Sequence, residues 1–155
     1  MTAQTVSVHF PSIDFLLALK DRMNANEAKY RAMGTMDLHL GITIEADASL
    51  KDTQRYALLF DGYECLQVET LAEGDEPDLD LTIAGPYGGW KEMFEIICKL
   101  GHADTTHTLN HLVMLEDPLR TEGADQYRVD KLYRFAFTVQ SFVEEAAGLN
   151  VTFAS

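Results

Sequence analysis

A chain of 155 residues, 46% hydrophobic and 24% charged, suits a single globular domain over 1–155 with its own core, and it excludes general disorder. Twelve Lys and Arg against 25 Asp and Glu leave a formal charge of −13. A surface that acidic repels phosphate backbones and anionic membrane faces, so nucleic acid is excluded as an expected partner. No apolar stretch approaches the length that spans a bilayer, so no stable membrane insertion is expected. MTAQTVSVHF also lacks the basic region and apolar run of a leader, and the expected location is cytoplasmic.

Thr5 to Phe10 alternates weakly through Val6, Val8 and Phe10 and reads as an extended arm or short strand. Pro11-Ser12 opens a helix with Ser12 as N-cap and Phe15, Leu16, Leu19 and Met23 along one side. Asn24 to Asn26 ends it, and a shorter helix over Glu27 to Met33 stops at Gly34. Met36, Leu38, Leu40, Ile42 and Ile44 then alternate with Asp37, His39, Gly41, Thr43 and Glu45, which is the period of a half-buried strand. After a polar turn over Asp47 to Asp52, Tyr56, Leu58 and Phe60 form a second strand. Asp61-Gly62 makes a hairpin turn, and Tyr63 to Glu69 forms a third strand.

Ala72 to Asp78 is an acidic loop leading to a fourth strand, in which Leu79, Leu81 and Ile83 alternate with Asp80 and Thr82. These four strands are expected to form an antiparallel meander. Gly85-Pro86 stops the pairing and opens a helix, because proline has no amide hydrogen to give a ladder. Trp90, Met93, Phe94, Ile97 and Leu100 line one side of it, and Gly101 terminates it. Leu109 to Leu115 is a fifth strand or a helical turn, since short apolar runs do not distinguish the two. Glu116-Asp117-Pro118 is a turn. A long helix from about Ala124 to Ala147 carries the stripe Leu132, Phe135, Val139, Phe142 and Ala146, and the apolar tail Leu149 to Phe153 is expected to tuck back. Helices segregated around one mostly antiparallel sheet of about five strands define an α+β fold.

Chemistry-bearing patterns are sparse. Cys65 and Cys98 belong to no CxxC or metal-spaced set and read as small buried hydrophobes. His107 and His111 stand four apart but lack further ligands, so no metal is assigned. No GxSxG or other nucleophile motif occurs, and no catalytic residue or cofactor is assigned. Gly85-Pro86-Tyr87-Gly88-Gly89 matches neither phosphate-loop pattern and reads as a glycine-rich helix entry. A weak seat for a ligand carboxylate or thioester head remains an alternative there. A second alternative is a cone-shaped isomerase or dehydratase that pairs a histidine with Asp37, Asp80 or Asp104. A third is an interaction module whose apolar stripes form core or a homodimer interface, with no small ligand.

The order of parts, with ALLFDGYECLQVE and PDLDLTIAGPYGGWKEMFEIICKLG as the best-matching portions, resembles the sterol carrier protein type 2 domain. The family's glycine-rich strand after the Trp90 helix is replaced here by His107 to Met114. The resemblance implies a sheet covered by helices around a hydrophobic tunnel for a sterol, fatty acid or acyl-CoA, and no catalytic residues. The ligand-lining residues it implies are Leu40, Ile42, Trp90, Phe94, Ile97, Leu112, Met114, Phe135, Val139 and Phe142.

Overall fold

A computed structural model of the chain describes residues 6–114 and 116–154. Thr5 and Leu115, which belong to two of the expected segments, lie outside the described residues, as does half of the stretch read for a leader. Strand β1 (Ser7–Phe10) leads into helices α1 (Ile13–Asn24) and α2 (Glu27–Met33). Strands β2 (Met36–Glu45), β3 (Gln54–Gly62), β4 (Glu64–Leu71) and β5 (Leu81–Pro86) follow, and β5 runs directly into α3 (Tyr87–Leu100). Ser12 caps α1 by accepting from the Phe15 amide at 3.1 Å. Gly101 closes α3 in the left-handed conformation with φ 88°.

The sheet order is β4-β3-β2-β5-β6, where β6 is Arg120–Glu122. This corrects the expected four-strand meander. Strands β2, β3 and β4 do form one, but β5 lies on the other side of β2 and runs parallel to it, with Leu40 opposite Leu81 and Ile42 opposite Ile83. Alternation shows which face a strand buries but not its neighbour or direction. The neighbour is set by Asp80, whose backbone amide donates to the His39 carbonyl at 2.8 Å while its carboxylate accepts from the His39 amide at 2.8 Å. The Leu109 run is a helix, α4 (Leu109–Met114), and the fifth strand is β6 just beyond Pro118.

The expected long C-terminal helix is broken into α5 (Gln126–Val129), α6 (Lys131–Arg134) and α7 (Ala136–Glu144), followed by a 3-10 turn over Glu145–Gly148. Two demands compete for this segment. Arg128 and Lys131 are drawn to Asp37, Asp78 and Asp80 at the sheet, whereas Val139 and Phe142 of α7 are buried in the core. The backbone bends at Phe135 (φ −108°, ψ 20°) to meet both. The expected stripe survives the bends: Leu132, Val139, Phe142 and Ala146 are buried and Phe135 is half-buried. The tail tucks back as strand β7 (Asn150–Phe153), which pairs in parallel with β1.

Candidate functional site

Most residues expected to line a tunnel pack on one another. Leu40 and Ile42 project from β2 into the core, where Trp90, Phe94 and Ile97 of α3 meet them, all buried. Phe94 stands with its ring centroid 4.9 Å from both Phe10 and Phe15 and 6.5 Å from Trp90. The Trp90 indole donates to the Thr43 carbonyl at 3.1 Å. Phe142 meets Phe60 edge-on at 5.0 Å, and Leu112 is buried under α4. Met114 instead faces outward, 60% exposed. The structure thus brings Leu40, Ile42, Trp90, Phe94, Ile97, Leu112, Val139 and Phe142 into one packed cluster.

The glycine-rich entry to α3 is filled by the protein itself. The Gly88 amide donates to Asp47 Oδ2 at 2.8 Å, so a carboxylate from the β2–β3 turn occupies the positive end of the helix. Amides of Ser49, Gly88 and Leu50 all bond Asp47 and hold its carboxyl below the usual range. Gly85 and Gly89 permit a close crossing: a Cβ at either would fall within 3 Å of Pro118 atoms. This answers the carboxylate-seat alternative, because the seat is taken by Asp47.

The histidines sit at the surface. His102 is exposed, and His107 and His111 are half-buried. His107 Nδ1 lies 2.7 Å from Asp104 Oδ1, and its Nε2 lies 3.2 Å from Glu92 Oε1. Burial alone would lower its pKa, but hydrogen bonds to Asp104 and Glu92 outweigh that and raise it. With both nitrogens engaged by carboxylates, His107 ties α3 to the loop before α4 and has no free nitrogen for proton transfer. His39 borders a shallow 250 Å³ depression with Asp37, Asp80 and Lys131. There Arg128 Nε lies 3.0 Å from Asp80 Oδ1, while the His39 amide and Lys131 hold Oδ2. Burial pushes Asp80 upward, but these donors prevail and hold it below the ordinary carboxylate value, which suits an anchor and not a base. Cys65 is buried, and burial pushes its thiol up to about 12.

An apolar cleft of about 400 Å³ lies between the start of α4 and the α6–α7 bend. Its floor includes Leu109, Leu132 and Val139, all buried, and its mouth carries Phe137, 88% exposed, and Tyr133, 47% exposed. Thr108, Asn110, Ala136 and Gln140 complete the lining, which contains no charged side chain. Of the residues expected from sequence, Val139 is the one that lines this cleft. Tyr133 and Phe137 were missed because they lie off the buried stripe. The available signal was a second aromatic pair four apart on the opposite side of the helix. The volume falls within the range of small-molecule sites, about 300–1,000 Å³.

No protein-family profile and no curated protein sequence matches the chain. Among solved structures it is similar to sterol carrier protein 2, with TM-score 0.65 and 17% identity over 88% of this chain and 95% of that one. It is also similar to a conserved hypothetical protein from Thermus thermophilus described as possibly a sterol carrier protein, with TM-score 0.61 and 15% identity over 94% and 96% of the two chains. The fold is that of sterol carrier protein 2. Among the described residues, no helix is long and apolar enough to cross a membrane.

Proposed function

We propose that this protein is a non-catalytic carrier that holds an apolar lipid, of the sterol, fatty acid or acyl-CoA classes, in the cleft between α4 and α6–α7. The observation that carries this reading is the cleft itself: an uncharged apolar recess with exposed aromatics at its mouth, in a fold shared with a sterol carrier protein. Exposing Phe137 to water has no benefit within the isolated chain, whereas a ligand entering beside it removes apolar surface from water. The core beneath α3 backs the cleft and does not form the chamber.

Burying about ten methylenes at about 0.8 kcal/mol each gives roughly 8 kcal/mol before entropic losses, a gross figure that corresponds to about micromolar affinity. Such binding is reversible, as delivery requires. The test is native mass spectrometry of freshly purified protein, followed by titration with fluorescent fatty-acid and sterol analogues. A copurifying lipid and micromolar binding are expected. Ala136→Trp, which places an indole in the cleft, should weaken binding at least tenfold without lowering Tm. A protein that is empty and ignores both analogues, or an Ala136→Trp variant that binds as wild type does, overturns the reading.

The same exposed pair, Phe137 and Tyr133, supports a second reading in which the face is a contact between two copies of the chain. A concentration-dependent dimer abolished by Phe137→Ser, with no bound lipid, would favour it.

A further inference from the structure

Helices α5 to α7 differ in charge from the rest of the protein. Residues 126–143 hold three basic residues, Arg128, Lys131 and Arg134, and one acidic residue, Asp130, in a chain of net charge −13. Arg128 and Lys131 are engaged by Asp37, Asp78 and Asp80 at the sheet. Arg134 has no carboxylate partner among the described residues. Its guanidinium lies over two rings instead, 5.4 Å from the centroid of Tyr127 and 5.6 Å from that of Phe135. Tyr127 is 72% exposed, and Tyr133 and Phe137, one residue before Arg134 and three after it, stand exposed at the mouth of the cleft. Three exposed aromatics around one unpaired cation make this face unlike the acidic remainder of the surface.

We propose that this face docks on an electrically neutral, zwitterionic lipid bilayer and seats the mouth of the cleft on the membrane. This rests on the carrier reading and adds the surface at which its ligand enters and leaves. On docking, the Phe137 ring leaves water, with a gain proportional to the apolar area removed. The tyrosines suit the bilayer interface, where a ring meets apolar chains and its hydroxyl stays wet. Arg134 meets a headgroup phosphate while its stem lies along the rings. Charge decides among the occupants. A second copy of the chain brings a second −13, and an anionic bilayer likewise repels the surplus of carboxylates. A zwitterionic bilayer offers phosphates to Arg134 and has no net charge to oppose the rest of the surface.

The experiment is sedimentation of the full chain with phosphatidylcholine vesicles at low ionic strength, repeated with a third of the lipid replaced by phosphatidylserine. The chain is expected to sediment with the first vesicles and less with the second, a difference that salt reduces. Phe137→Ser should lower partition by at least about tenfold, the loss of one large apolar side chain at the interface. Arg134→Glu should lower it severalfold, and Leu100→Ser, at an exposed position on α3, should leave it unchanged. Arg134 does not line the cleft, so Arg134→Glu should bind a fluorescent fatty acid in vesicle-free solution as wild type does. Independently, Phe137→Trp should shift to the blue on phosphatidylcholine vesicles and be quenched by the brominated lipid, against a Trp90 that is buried, which decides the matter if Phe137→Ser fails to fold. No partition into phosphatidylcholine vesicles, stronger partition with phosphatidylserine, or Phe137→Ser or Arg134→Glu partitioning as wild type overturns this inference. So does an equal fall in Leu100→Ser, an unquenched Phe137→Trp variant, or a concentration-dependent dimer in place of vesicle binding. Fatty-acid binding that persists in vesicle-free solution leaves the carrier reading standing in each case. A protein that docks through Phe137 and Arg134 but ignores fatty-acid and sterol analogues keeps the docking face and removes the carrier reading.

Discussion

If the chamber is the cleft and the space beneath α3 is filled, then Phe94→Ala is a core truncation and not a change of binding site. Phe94 is 2% exposed, so truncation removes a fully buried ring, which costs about 3–5 kcal/mol when the surroundings cannot collapse. Collapse is hindered here because Phe10, Phe15 and Trp90 are themselves held. Phe10 is anchored in the β1–β7 pair, Phe15 in α1, and Trp90 by its bond to Thr43. Edge-on and tilted contacts at 4.9 Å to Phe15 and Phe10 are lost as well, each worth about 0.5–1.5 kcal/mol beyond area, so the upper half of the range is expected. Urea unfolding followed by circular dichroism should show an unchanged m and a midpoint lowered by that free energy divided by m. Lipid affinity, measured well below the transition, should stay within about threefold of wild type, because the cleft lining is intact. A loss under about 1 kcal/mol together with altered lipid affinity would refute the reasoning, since it would mean that Phe94 borders the ligand and not other side chains.

Gly85→Ala should destabilise by about 1–3 kcal/mol, because its Cβ would meet the backbone of Pro118 and Leu119, which cannot swing aside. Gly88→Ala, whose Cβ would lie 3.4 Å from Asp47 Oδ2, an ordinary van der Waals distance, should be nearly neutral, and thermal melts of the two variants test the contrast. Asp47→Ala removes the carboxylate from the α3 N-terminus and should lower stability by about 1 kcal/mol, measured by denaturant titration. His107, whose folded pKa is raised, stabilises the fold fully below the unfolded value of about 6.5, and that contribution is lost as pH rises through the folded pKa. The Tm difference between wild type and His107→Gln should therefore shrink between pH 5.5 and 8; a difference that grows with pH contradicts the bridge to Asp104 and Glu92.

The parts of this protein set by neighbours in sequence were legible from sequence. The strict alternation from Met36 to Glu45 made β2 and the aromatic spacing from Trp90 to Leu100 made α3, while the hairpin from β3 to β4 turns at Gly62-Tyr63, one residue beyond the expected Asp61-Gly62, because Asp61 still pairs with Glu64. Each depends on a local period or a local backbone preference, which a short window already contains. What tertiary structure decided was which elements met. Asp80 placed β5 beside β2, pairing it in parallel with a strand about forty residues earlier. Asp47 capped a helix forty-one residues downstream, and cations drawn to the sheet bent a segment whose stripe read as one straight helix. The candidate site belongs to this second kind. Val139 was visible in the apolar stripe, but the cleft exists only because α4 and the α6–α7 bend do not close on each other. A stripe records which side chains avoid water; the volume left between two packed elements depends on their separation and angle in space, which no local pattern encodes.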